Sequence, residues 1–120
     1  MNTTRYMLMM AAMLLAACSK QGGQTNTSNV IKIGHVAPIT GDQGHLGKDN
    51  ENGAQLAVEE LNAQGVMLAG KKVTFELLKE DDQHDPKQAP IVAQRFVDAQ
   101  VAGVIGHLNS GTTIPASSGR

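Results

Sequence analysis

The residues best suited to chemistry lie in one run, Gly106-His107-Leu108-Asn109-Ser110-Gly111-Thr112-Thr113. Its two glycines have four residues between them, the spacing of a phosphate-cradling loop, but the lysine that should follow the second is Thr112. Without that cation a polyphosphate lacks its main counterion, so nucleotide binding gains little support. Ser110 is not in a nucleophile elbow, because Leu108 stands where a glycine is needed and the next glycine comes one residue early. No histidine and acid are spaced to complete a hydrolytic triad. What the run does offer is hydroxyls and small residues where a helix can begin. Free N–H groups and the positive end of a helix dipole attract a carboxylate there. Ser110 can donate both its N–H and its hydroxyl, as can Thr112 and Thr113. The same residues can equally serve as a helix cap, and both readings stay open.

Other polar clusters carry less. Asp81, Asp82, His84 and Asp85 invite a metal reading, but Asp85 is needed as a helix cap and no second histidine stands at ligand spacing. His35, His45 and His107 are scattered, and His35 falls in a strand, either structural or at an edge. Glu59-Glu60 and Asp81-Asp82 read as solvated faces. No catalytic residue, metal or cofactor is expected.

Composition narrows the classes further. Ten basic against eleven acidic residues in 120 give a net charge of −1, without the positive footprint of a nucleic-acid binder. Tyr6, Phe75 and Phe96 are the only aromatics, too few for base-stacking platforms. A hydrophobic share of 41% argues against wholesale disorder. The single cysteine, Cys18, excludes an internal disulfide and a cysteine-based zinc site.

The elements that must position the run follow from pattern. Val30–Ala37 is β-branched and apolar, a strand; Pro38–Leu46 is rich in turn formers, a loop. From Gly47 to Ala63 the period is helical, with Gly53, Ala54, Ala57, Val58 and Leu61 on one stripe and Asp49, Glu51, Glu59 and Glu60 mostly off it. Gly65 is the expected left-handed stop. Leu68–Lys71 reads as a turn and Val73–Leu77 as a half-buried strand. Asp85 as N-cap, Pro86 at N1 and Gln88 three residues on open a second helix, whose buried face is Ala89, Val92, Ala93, Phe96 and Val97. Val101–Gly106 is an unbroken apolar run, expected to be a strand covered on both faces. Asn109–Thr113 is a loop or helix start, and Ser117–Arg120 gives no helical continuation. The order β-α-β-α-β makes an α/β chain with a parallel sheet. Ligands of such sheets bind at the carboxyl ends of the strands, where the runs 38–46 and 107–113 lie.

At the N-terminus, Arg5 precedes an uncharged apolar run, Met7–Ala17, too short against the ~20 residues that span a bilayer. The run ends in Leu15-Ala16-Ala17-Cys18, which resembles the bacterial lipobox. That resemblance implies a signal peptide over 1–17 and lipidation of Cys18, a membrane anchor whose acyl chains contribute about 0.8 kcal/mol per buried CH₂. Residues 18–29 then form a polar, flexible tether, and residues 30–120 the folded part.

Three stretches in order, GKDNENGAQLAVEELNAQG (Gly47–Gly65), EDDQHDPKQA (Glu80–Ala89) and VIGHLNSGTTIPAS (Val104–Ser117), resemble the branched-chain amino-acid binding proteins of ABC importers. These are solute-binding proteins of the Leu/Ile/Val type, with the class I periplasmic fold. The resemblance implies a partial doubly wound parallel sheet, the first half of lobe 1 of a two-lobed protein that closes around one amino acid and delivers it to an inner-membrane ABC permease. It places the ligand carboxylate on Ser110, with Asn109, Gly111 and Thr112 around it. It places Leu46 where an aromatic often lines the side-chain pocket. His84 and Asn109 occupy positions that form a disulfide in some members. A chain holding only part of one lobe is expected to be truncated and unable to bind by itself. The alternative is a ligand-sensing domain of the same fold without a transport role.

Overall fold

The computed structural model describes residues 29–118; Cys18, the 1–17 leader and the tether up to residue 28 lie outside the described residues. A parallel sheet has β1 (Val30–Ala37) at its centre, β4 (Thr74–Asp81) on one side and β5 (Gly103–Ile105) on the other. β1 pairs with β4 along its whole length, from Val30↔Thr74 to Ala37↔Asp81, and with β5 from Ile33↔Gly103 to His35↔Ile105. Helix α1 (Gly44–Gln64) follows β1, and a short hairpin of β2 (Met67–Leu68) and β3 (Lys71–Lys72) leads into β4. Helix α2 (Gln88–Asp98) joins β4 to β5, and α3 (Ser110–Ser118) follows β5.

The pleat of β1 sends alternate side chains to opposite layers. His35 points to α1, where its Nε2 lies 2.8 Å from Asn50 Oδ1. Val36 points to α2 and joins Val92 and Phe96 in the core, with Leu78 and Val101 packed against it. Gly34 shares that second face. A Cβ there would stand 2.9 Å from two ring carbons of Phe96, so the aromatic lies directly on the strand backbone. α1 ends at Gly65 in the left-handed region (φ 70°), as expected, its N–H reaching the carbonyls of Leu61 and Asn62.

Several expectations are corrected. α1 begins at Gly44 rather than Gly47, which moves Gly44–Leu46 out of the loop after β1. The segment 68–71 is more than a turn: Ala69 and Gly70 both have positive φ (49° and 76°), the twist that suits a two-residue hairpin. β4 runs four residues past Leu77, because its ladder with β1 continues to Asp81. Asp85 closes the turn that leads into α2, its carboxylate accepting the Lys87 N–H at 2.8 Å and its carbonyl the Gln88 N–H at 2.9 Å, but the helix starts only at Gln88, with Lys87 rather than Asp85 at its N-cap and no side-chain bond capping it. Ala89, Val92 and Phe96 are buried as expected, whereas Val97 is 63% exposed. The run at 101–106 yields a strand of three residues, exposed rather than covered, because the grooves on both of its faces stand open among the described residues. Helical structure continues through Ser118 despite Pro115.

Residues 99–118, which include β5 and α3, hold no Asp, Glu, Lys or Arg. Apolar grooves flank β5 on both faces of the sheet. One is lined by Phe96, Val97, Val104 and Ala116, the other by Ile33, Val58, Leu61 and Ile105.

Candidate functional site

The carboxyl ends of β1, β4 and β5 converge, and two adjacent aspartates at the end of β4 tie the neighbouring loops together. Asp81 reaches the loop after β1. Its carboxylate accepts the Ile39 N–H (2.8 Å), the Thr40 hydroxyl (2.6 Å) and the Gln83 N–H (2.8 Å). Burial pushes this carboxyl up, but those bonds, led by the Thr40 hydroxyl, hold it below the ordinary carboxylate value. Asp82 reaches the loop after β5. It is completely buried, with Oδ2 2.7 Å from His107 Nδ1 and Oδ1 accepting the His84 N–H at 3.0 Å. The reading of Asp81-Asp82 as a solvated face is therefore corrected: one is half-buried and the other wholly enclosed.

The chain leaves β5 through Gly106, whose φ of 127° and position against Val36 leave no room for a side chain, since an added Cβ would meet the Val36 carbonyl oxygen. Beyond His107, the Asn109 carbonyl gathers four donors: the N–H and hydroxyl of Thr112 (3.2 and 3.0 Å) and the N–H and hydroxyl of Thr113 (both 2.9 Å). Thr112 is fully buried, so its hydroxyl serves the start of α3 from inside. Asn109 also donates from Nδ2 to Gln43 Oε1 at 2.9 Å, joining the starts of α3 and α1, while its Oδ1 is buried without a partner.

Ser110 and Gly111, the first two residues of α3, are exposed. A helix leaves the N–H groups of its first turn without internal acceptors, so these two present donors to whatever occupies the space in front of them. Leu46, one turn beyond Gln43 on α1, is 50% exposed. The run singled out from sequence thus divides. Thr112 turns inward, Thr113 stays exposed while its hydroxyl bonds back to the Asn109 carbonyl, Asn109 bridges two elements, and Ser110 and Gly111 face outward. Neither apolar groove beside β5 includes Ser110 or Gly111.

Sequence reasoning missed three buried polar groups. Glu51, placed off the apolar stripe, is 5% exposed and lies 2.6 Å from Lys48 Nζ and 3.8 Å from Lys79 Nζ. The Lys48 hydrogen bond holds its carboxyl below the usual value, against the burial that pushes it up. The other two are Asp82 and His107. The available signal for them was position, acids ending one strand and a histidine leaving another at the same end of a parallel sheet. Among the described residues no three or more His, Cys, Asp or Glu side chains gather as a metal site.

The periplasmic binding protein family matches residues 30–118. The chain is 42% identical over 103 residues to the Leu/Ile/Val-binding protein homolog 2 of Brucella abortus (strain 2308), an alignment covering 86% of this chain and 26% of that protein. It is 41% identical over 104 residues to an amino acid binding protein of Pseudomonas aeruginosa, covering 86% of this chain and 27% of that one. Among solved structures it is similar to the branched-chain amino acid transporter substrate binding protein LivJ from Streptococcus pneumoniae, in complex with isoleucine. The TM-score is 0.66 at 33% identity, over 75% of this chain and 25% of that one. It is also similar to a solute binding protein of an ABC transporter from Rhodopseudomonas palustris in complex with 3,4-dihydroxy benzoic acid, with a TM-score of 0.62 at 27% identity, over 75% of this chain and 24% of that one. The chain spans about a quarter of the length of the curated relatives it matches.

Proposed function

This chain belongs to the periplasmic binding protein family, and from that premise we propose that it is the first-lobe segment of an extracytoplasmic solute-binding component of an ABC importer for branched-chain or related amino acids. In this reading the ligand carboxylate sits at the start of α3, on the N–H and hydroxyl of Ser110 and the N–H of Gly111. Asn109 and Thr112 hold the turn from behind, and Leu46 lines the approach to the ligand side chain.

One observation carries the reading. At the carboxyl end of a parallel sheet, Ser110 and Gly111 are exposed at the first positions of α3 while their neighbours spend their hydrogen bonds inward. The bound molecules of two structural relatives support it. Isoleucine and 3,4-dihydroxy benzoic acid differ in size and polarity but share a carboxylate, the group a helix start attracts. The side-chain pocket belongs to the rest of a two-lobed protein, so one lobe segment alone does not close on a solute.

The test is calorimetric. In a two-lobed protein carrying residues 30–118 of this chain, Ser110→Ala weakens binding of isoleucine or leucine by about 1–3 kcal/mol, the cost of leaving a buried polar group unpaired. The 120-residue chain alone gives no binding heat. Unchanged affinity in the variant removes Ser110 from the site, and tight binding by the chain alone removes the need for a second lobe.

A further inference from the structure

We propose that Asp82 and His107 are positioning residues for the ligand-binding turn, acting through a single hydrogen bond from the His107 Nδ1–H to the buried Asp82 carboxylate. The inference rests on the reading of that turn as the carboxylate site, and it says how the turn is held in place.

Asp82 is completely buried, and its two oxygens have different tasks. Oδ1 accepts the His84 N–H, which organises its own loop, and Oδ2 lies 2.7 Å from His107 Nδ1. A carboxylate without solvent must be met by donors. The ring nitrogen facing it therefore carries a proton, and this fixes which face of the imidazole looks inward. The main chain of His107 is held as well, since its carbonyl lies 3.2 Å from the Thr113 hydroxyl. Two residues further on, the Asn109 carbonyl collects the Thr112 and Thr113 donors that shape the first turn of α3. Side chain and main chain of one residue thus anchor both ends of the short path from β5 to Ser110. The anchor is not on the same strand but just past the end of β4, with β1 in between. The strut crosses the top of the sheet and fixes the turn against the most extensively paired part of the fold. Ser110 itself has no hydrogen bond from this network, so its outward setting depends on the segment before it.

The experiment uses the 120-residue chain with no ligand, so the outcome does not depend on whether Ser110 binds an amino acid. Long-range ¹H–¹⁵N correlation of the imidazoles at about pH 8.5, well above the ordinary histidine pKa of about 6.5, reads the ring. His107 shows a protonated Nδ1. Amide hydrogen exchange then reads the turn. In Asp82→Ala, Thr112 and Thr113 exchange at least about tenfold faster, while the β1 amides keep their rates. Asp82→Asn, whose amide still offers His107 a hydrogen-bonding partner, leaves Thr112 and Thr113 within about threefold of the wild type. An unprotonated Nδ1 in the wild-type protein overturns the proposal without any variant. So does Asn at position 82 releasing Thr112 and Thr113 as fully as Ala does, or a folded Ala variant in which they exchange at the wild-type rate.

Discussion

Asp81 shows how much one carboxylate can organise at a strand end. It holds Ile39, Thr40 and Gln83 at once, and its pKa lies below the ordinary value because those donors favour the charged form more than burial opposes it. A group with a depressed folded-state pKa stabilises the fold above its unfolded value, about 3.9 for aspartate. That stability is lost as pH falls through the folded-state value. Urea unfolding followed by circular dichroism therefore shows wild-type stability dropping between about pH 5 and about pH 3. Asp81→Asn is less stable at neutral pH and loses less over the same interval. If the two proteins lose stability in parallel, the Asp81 network does not contribute to folding. None of this was legible in the run Glu80–Asp85. The partners of Asp81 and Asp82 lie as far as 42 and 25 positions away, and a polar residue's burial is decided by what the fold brings to it. Glu51 and His35 were misplaced or left open for the same reason, since periodicity registers apolar stripes and says nothing about an acid matched by two lysines.

Elements were more readable where their signals were local. The strand at 30–37, the stop at Gly65 and the buried Ala89, Val92 and Phe96 all depend on neighbouring residues, and all were read from the sequence. The hairpin 67–72 was not, because strands of two residues have no period to detect. The covering of β5 and the burial of Val97 were overstated, since a run of apolar residues records the wish for a partner and not its presence. The close seat of α2 on β1 gives the element-scale prediction. Gly34→Ala pushes a methyl to within 2.9 Å of Phe96 ring carbons, and the ring is fixed among Val36 and Val92. The cost is about 1–3 kcal/mol, read as a lower urea midpoint. A midpoint equal to that of the wild type shows that Phe96 moves aside freely.

At the scale of the whole molecule, the lipobox-like Leu15-Ala16-Ala17-Cys18 precedes the described residues. No described helix is long and apolar enough to cross a membrane. We propose that Cys18 carries the anchor and that residues 19–29 give the solute-binding part its reach. In a bacterial host, the protein incorporates labelled fatty acid and sediments with membranes, and Cys18→Ala abolishes both. A variant still labelled and membrane-bound refutes the anchor. This scale rests on sequence alone, because the motif lies outside the described residues and is read from its order along the chain.

The bare flank of β5 has a further consequence. Proteins commonly guard an unpaired strand edge with lysines, prolines or bulges, since its free N–H and C=O groups will accept any passing strand. Among the described residues β5 pairs on one flank only, and its guard is neither lysine nor bulge but brevity, since three residues offer a passing strand little to pair with.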